Sequence, residues 1–212
     1  TSLGAKERLA LSFRYMKDDP QNNIRVIPPL LRREVTLHEP YSGDYIHGYM
    51  VNAGFSENVM KWHRQHPRIP LRFFWDKWEE EPVKRVDNTL SFYQLDDVEF
   101  LRQMAGCKAY ASTAGFESVC EAMYLGKPIL MVPAHIEQDC NAYDAKKSGA
   151  GIISSDFNLQ QLLEFAKDYH PNRDFVYWVR GAEYTLLNLL ESDSSNYQQV
   201  LFNEMYLVEE FI

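Results

Sequence analysis

Short apolar runs alternate with amphipathic stretches of about ten residues through the middle of the chain. The runs that predict strands are DYIHGYMV, PLRFFW, TLSFYQ, KAYAS and PILMVP. Parallel strands need a crossover connection, which is usually a helix, so this alternation indicates βαβ units. We therefore expect an α/β fold, in which helices cover both faces of a Rossmann-like open parallel sheet.

Start and stop signals place helices between these strands. Pro67 ends the stretch ENVMKWHRQHP, and the acidic pair Asp96 and Asp97 suits the positive end of the helix in DVEFLRQMAG. Two more helices are predicted, one over residues 117–125 and one in EQDCNAYDAKKSG, where Gly149 is the expected C-terminal cap.

The two ends of the chain differ from its middle. The stretch AKERLALSFRYMKD predicts a helix, and NIRVIPPLL predicts a short strand stopped by a proline pair that stiffens a linker. Near the other end, DFVYWVRGAEYTLLNLLES and NYQQVLFNEMYLVEEFI predict two helices. The predicted domains are an N-terminal segment with a linker over residues 1–39, the Rossmann-like domain over 40–172, and a helical extension over 173–212.

Charge and cysteine content exclude several classes of protein. The formal net charge of -8 provides no basic field for a nucleic-acid backbone, so an anionic ligand would need local donors. Cys107, Cys120 and Cys140 are odd in number and lack the spacing of a zinc site, which favours a reducing cytoplasm. His63 and His66 are predicted to lie at an exposed helix end rather than on a metal.

No apolar run approaches the length of about 20 residues that spans a membrane, so no transmembrane segment is predicted. The sequence begins at Thr1 without an initiator methionine, and we expect either a processed protein or a piece of a longer one. The predicted location is the cytoplasm, including the inner face of its membrane.

The stretch YASTAGFESVCEAMYLGKPILMVP places small polar residues and a glycine where a predicted strand meets a predicted helix. In an open parallel sheet, ligands bind beyond the carboxyl ends of the strands, and a helix N-terminus there can receive a phosphate. Gly115 would let the backbone approach that phosphate, and the Glu121 carboxylate could accept hydrogen bonds from two adjacent sugar hydroxyls. The alternative is an ordinary helix cap followed by a solvated glutamate.

The segment EAMYLGKPILMVP followed by HIEQDCNAYDAKKSGAGI resembles the donor-binding half of GT-B glycosyltransferases. The resemblance is to the group of the peptidoglycan N-acetylglucosaminyltransferase and the UDP-glycosyltransferases, and it covers roughly residues 106–152. It implies the C-terminal half of a GT-B fold and a metal-independent hexosyltransferase. Its substrate would be a nucleotide-diphosphate sugar, with uridine as the expected base, and no cofactor is expected.

The resemblance also implies roles for individual residues. Gly115 and Ser118 would approach the diphosphate and Glu121 would hold the ribose, while Glu137 and Gln138 would face the sugar. The full set of expected donor-binding residues is Gly54, Phe55, Ser56, Phe92, Tyr93, Thr113, Gly115, Ser118, Glu121, His135, Glu137, Gln138 and Asn141.

Several of these assignments have alternatives. The turn NAGFS resembles the loop that closes near the diphosphate, but it carries a single glycine. Phe92 or Tyr93 would lie against the base, and either could equally belong to the core. His135 could donate to a phosphate or to the leaving group, or could be a structural hydrogen-bonding residue; Asn141 would support the sugar-facing residues.

A complete GT-B enzyme has two such domains, and the acceptor site and general base usually come from the first. Since one sheet is visible, the acceptor domain is expected upstream of Thr1 or on a separate chain, and no catalytic base is assigned. The acceptor is open: a glycan, a lipid-linked molecule or a small molecule. A nucleotide-sugar-binding subunit without its own catalysis and a nucleotide-sugar epimerase are the alternative functions.

Overall fold

The computed structural model of the chain describes residues 5, 7–77 and 81–191. In chain order the strands are β1 (Arg8–Leu11), β2 (Ile24–Ile27), β3 (Ile46–Met50), β4 (Leu71–Trp75), β5 (Val83–Arg85), β6 (Leu90–Gln94), β7 (Ala109–Ser112), β8 (Ile129–Met131) and β9 (Gly151–Ile153). The helices are α1 (Arg33–Thr36), α2 (Ser56–Gln65), α3 (Asp97–Gly106), α4 (Phe116–Tyr124), α5 (Ile136–Lys147), α6 (Leu159–Phe165), α7 (Arg173–Arg180) and α8 (Ala182–Glu191).

The chain divides into two units. The larger runs from Leu31 to Asn172, and the smaller combines the described residues up to Leu30 with those from Arg173 onward. The larger unit holds a sheet in the order β5-β6-β4-β3-β7-β8-β9, which is parallel except for the antiparallel edge strand β5. This confirms the predicted α/β fold with a mostly parallel open sheet.

The strands are apolar because both faces of the sheet are covered. On one face, Val59 and Trp62 of α2 and Leu162 of α6 pack with alternate strand residues such as Phe73 and Leu130. On the other face, Phe100 of α3 packs against three aromatic rings of the sheet. These are His47 of β3, Phe74 of β4 and Tyr110 of β7. Burial of a large apolar side chain contributes about 1.5–3 kcal/mol, so these two layers hold the sheet that positions the site.

The smaller unit contains the parallel pair β1–β2 and the helices α7 and α8. Trp178 of α7 donates its indole N–H to the carbonyl oxygen of Ser12 at 3.0 Å and lies edge-on to Tyr15. The first segment of the chain and the helices after Arg173 are therefore joined within one unit.

At the ends of the chain one element prediction is wrong, and the prediction of helices after residue 173 is confirmed with one difference. The predicted helix in AKERLALSFRYMKD is replaced by β1, because pairing of Arg8–Leu11 with Ile24–Ile27 outweighs helix propensity. The helix predicted in DFVYWVRGAEYTLLNLLES is divided at Gly181 into α7 and α8. The second predicted C-terminal helix, in NYQQVLFNEMYLVEEFI, lies outside the described residues.

Several short elements of the structure were not predicted from the sequence. Val83–Arg85 forms β5 although all three residues are exposed, so this strand has no apolar alternation to reveal it. The short β9, α1 and α6 were likewise not predicted. Gly149 has a φ of +76° just after α5, which confirms the expected cap.

Candidate functional site

The predicted donor residues follow neighbouring strands at the carboxyl edge of the sheet. β3 pairs with β7, and β7 pairs with β8, all in parallel. The loop over residues 51–55 after β3, the loop over 113–115 after β7 and the loop over 132–135 after β8 therefore open at the same edge. Between β3 and β7 the strand order reverses direction, which is where open α/β sheets bind ligands.

The β7–α4 loop is held in an unusual conformation. Ala114 has a φ of 62°, in the left-handed region that L-residues with a Cβ rarely adopt, and it is fully buried. Its N–H donates to Ser112 Oγ at 3.1 Å, and its carbonyl oxygen accepts from Asn141 Nδ2 at 3.4 Å. Backbone strain of this kind costs about 1–3 kcal/mol and clusters at ligand-binding sites.

We expect this strain to affect the free energy of unfolding when glycine replaces each of two buried alanines. Both Ala111, in extended β7, and Ala114 are fully buried, so replacement by glycine removes the same methyl group at each position. Relief of the left-handed conformation should offset that loss at Ala114 alone, so Ala111→Gly should lower the free energy of unfolding by about 1 kcal/mol more than Ala114→Gly. Urea unfolding of the two variants measures the difference, and equal losses would contradict the strain.

The N-terminus of α4 offers unused hydrogen-bond donors. Gly115 is the N-cap and supplies no side-chain acceptor, and the backbone N–H groups of Glu117 and Ser118 have no acceptor among the described residues. The buried Thr113 hydroxyl likewise has no hydrogen-bond partner in that part of the chain. Ser118 Oγ donates to the Gly115 carbonyl oxygen at 3.2 Å. Such a helix end is suited to an anion.

The backbone conformation at position 115 does not require a glycine. Its φ of -62° is available to any residue, and an added Cβ would have only Ser118 Oγ nearby, at 3.7 Å. The space in front of this backbone is therefore open, as the predicted phosphate contact requires.

The helix α5 begins beside α4, after the neighbouring strand. His135 is its N-cap and makes no side-chain capping hydrogen bond, and both His135 and Glu137 are exposed. Gln138 is buried, and its Oε1 accepts from the Ala134 N–H at 2.8 Å. Gln138 therefore fixes the loop that carries His135, while Asn141 reaches back to the loop before α4.

Glu121 has a partner that the sequence did not suggest. Arg32 donates from Nε to Glu121 Oε1 at 2.7 Å and from Nη2 to Oε2 at 3.0 Å. Burial raises the pKa of the Glu121 carboxyl, and the hydrogen bonds from Arg32 oppose that rise; the same hydrogen bonds raise the pKa of Arg32. The two residues are 89 positions apart, so no local motif connects them.

The residues assigned to the base and to the first loop are placed differently. Phe92 is 1% exposed and stacks on Trp75 at 4.5 Å, so the structure places it in the core, which was its stated alternative. Tyr93 is half-buried and stacks on Phe74. After β3, Phe55 packs edge-on to Phe157, while Gly54 stays exposed and Ser56 begins α2.

The prediction that His63 is exposed is wrong. His63 is buried, and its Nε2 donates to Asp87 Oδ2 at 2.7 Å, which holds the pKa of that carboxyl well below its ordinary value. His66 stacks on Trp62 instead. This part of the molecule is a structural contact between α2 and the turn before β6.

The described residues form neither a metal-binding cluster nor a membrane-spanning helix. Across residues 7–77 and 81–191, no group of three or more His, Cys, Asp or Glu side chains is placed to hold a metal ion. Over the same ranges, none of the helices combines the length and apolar character needed to cross a bilayer. Cys107, Cys120 and Cys140 are free.

Comparison with known proteins gives one family and several structures of similar fold. The family model described as glycosyl transferase family 1 matches residues 4–169. No curated protein was found to match the chain.

Three of the similar solved structures are transferases. The glycotransferase of kitacinnamycin matches with a TM-score of 0.54 and 14% identity over 77% of this chain and 46% of its own. The calicheamicin glycosyltransferase CalG4 matches with a TM-score of 0.54 and 12% identity over 76% of this chain and 43% of its own. Arabidopsis thaliana UGT89C1, complexed with UDP, matches with a TM-score of 0.52 and 14% identity over 77% of this chain and 47% of its own. The chain thus spans less than half the length of each of these structures.

Proposed function

The chain belongs to glycosyl transferase family 1, and we propose that its residues 40–172 bind a nucleotide-diphosphate sugar, with uridine as the base, for hexosyl transfer to an acceptor hydroxyl. The family match confirms the resemblance found in the sequence. The observation that carries the proposal is the N-terminus of α4, at the point where the strand order reverses. There, two backbone N–H groups and the buried Thr113 hydroxyl have no hydrogen-bond partner within the described part of the chain.

These groups would act on the leaving group. As the bond from the anomeric carbon to the diphosphate oxygen breaks, negative charge grows on the β-phosphate, and donors already aimed at it lower the barrier. Helix ends and polar side chains would supply this stabilisation without a metal ion. His135, exposed at the start of α5, would donate a hydrogen bond to a phosphate or to the leaving group.

The proposed function also requires a site for the acceptor and a general base. Since the chain spans less than half the length of each of the three named structures, we propose that an acceptor domain supplies the general base and the acceptor site. The pair β1–β2 supports this, because parallel strands are rarely found outside sheets covered on both faces, and Leu9 and Leu11 of β1 are 43% and 47% exposed. Alone, the chain would bind donor without turning it over.

Calorimetric titration with UDP tests the proposed function. In buffer containing EDTA, we expect UDP to bind with a dissociation constant below about 1 mM, equivalent to about 4 kcal/mol. Inorganic pyrophosphate should compete with UDP, and uridine, which has no phosphate to meet α4, should bind far more weakly. Absence of UDP binding by a folded sample, or a strict requirement for added Mg²⁺, would contradict the proposal.

A further inference from the structure

The carboxylate expected to hold the ribose is already occupied in this structure. Both oxygens of Glu121 accept hydrogen bonds from the same guanidinium, that of Arg32, in a bidentate arrangement. Bidentate arginine–carboxylate pairs are among the strongest hydrogen-bonded contacts in proteins. A sugar diol that bound Glu121 in the same manner would have to take the place of two existing hydrogen bonds.

The guanidinium also stands on the solvent side of the pair. The side chain of Glu121 is 3% exposed, whereas that of Arg32 is 37% exposed. The remaining guanidinium nitrogen, Nη1, lies 3.2 Å from Oδ1 of Asp97, which is 80% exposed at the start of α3. Arg32 is therefore tethered to one buried and one exposed carboxylate.

We propose that Arg32 is an internal ligand of Glu121 that the donor ribose displaces, and that it thereby lowers the affinity of the site for the donor. The proposal rests on the proposed function, because it assumes that a ribonucleotide is the ligand. Arg32 is the member able to move, since it can retain Asp97 as a partner after it leaves Glu121. The two ribose hydroxyls then supply two donors to the two carboxylate oxygens, so the buried charge stays hydrogen-bonded throughout.

Substitution of Arg32 tests this exchange against a matched control. We expect Arg32→Met to bind UDP about tenfold more tightly than the unsubstituted chain, because the ribose no longer competes with a guanidinium. The affinity for 2′,3′-dideoxy-UDP, which has no hydroxyl for Glu121, should not change. Arg33→Met, the same substitution at the exposed neighbouring residue, should leave both affinities unchanged.

The outcomes separate this inference from the function on which it rests. If the unsubstituted chain and Arg33→Met bind neither nucleotide, the proposed function fails and this inference fails with it. If they bind UDP but Arg32→Met binds it equally or less tightly, the exchange alone is overturned.

A spectroscopic measurement on the unsubstituted chain covers the case in which Arg32→Met does not fold. The Arg32 Nε–H resonance, assigned by its loss in Arg32→Lys, should be protected from solvent exchange in the free protein. It should lose that protection when UDP is added, and keep it when 2′,3′-dideoxy-UDP is added. Persistence of the protected signal in saturating UDP would overturn the proposal.

Discussion

Replacement of Gly115 by alanine is expected to lower the affinity for UDP by about thirtyfold, or about 2 kcal/mol, without lowering stability. The methyl group would occupy the open space in front of the α4 N-terminus, where the proposed diphosphate approaches the backbone. The fold should accept it, because the φ of -62° is ordinary and the nearest atom to the new Cβ, Ser118 Oγ, is 3.7 Å away.

Calorimetry of UDP binding and a thermal unfolding scan together measure this effect. Loss of a glycine N-cap and reduced freedom of the unfolded chain act in opposite directions, so the free energy of unfolding should change by no more than about 0.5 kcal/mol. The matched control is Gly181→Ala, between α7 and α8, which should leave UDP affinity unchanged. Unimpaired UDP binding by a folded Gly115→Ala protein would remove Gly115 from the site.

Acidification is expected to destabilise the protein strongly through one buried histidine. His47 of β3 is fully buried among the rings of Phe74, Phe100 and Tyr110, at centroid distances of 5.4, 4.8 and 5.3 Å. Burial, reinforced by the charge of Arg72, lowers its pKa to about 3. Because the buried ring stays neutral in the folded state, protonation of His47 in the unfolded chain stabilises the unfolded state and lowers the free energy of unfolding.

The direction of the pH dependence follows from the two pKa values. The unfolded histidine binds a proton as the pH falls through about 6.5, while the folded one does so only near 3, so stability is lost across that interval as the pH falls. The loss attributable to His47 should reach about 3 kcal/mol at pH 4 and on the order of 4 kcal/mol at pH 3.

Urea unfolding at pH 7 and pH 4 isolates this contribution. Carboxyl groups also titrate in this range, so the comparison is made between variants. His47→Phe should lose about 3 kcal/mol less between the two pH values than the unsubstituted chain, whereas His170→Phe, at an exposed position, should show the full loss. Equal losses in all three proteins would show that His47 does not titrate as its burial implies.

The part of the fold that could be predicted is the part built from local patterns. Each strand from β3 to β8, except β5, coincides with a quoted apolar run, because burial on both faces of a parallel sheet demands such runs. Helix boundaries followed from residues that act on their neighbours, such as Asp96, whose side chain accepts from the Glu99 N–H, and Gly149. Elements with weak burial, such as β5, gave no signal.

The candidate site shows the same limit more sharply. The α4 N-terminus was predictable because strand, small loop and helix are consecutive in sequence. The Arg32–Glu121 contact was not, since it joins a linker to a helix 89 residues away. The left-handed conformation of Ala114 was also not predictable, because nothing about an alanine suggests it, and it depends on Ser112 and on Asn141 from another helix.

The side-by-side starts of α4 and α5 have a consequence for measurements on this protein. Both helices begin after adjacent parallel strands, and α4 leaves the backbone N–H groups of Glu117 and Ser118 without an acceptor among the described residues. Phosphate, sulfate or citrate in a buffer would bind to these donors in the folded state and raise the melting temperature. In such buffers the measured melting temperature would be higher, and the measured nucleotide affinity lower, than in a chloride buffer.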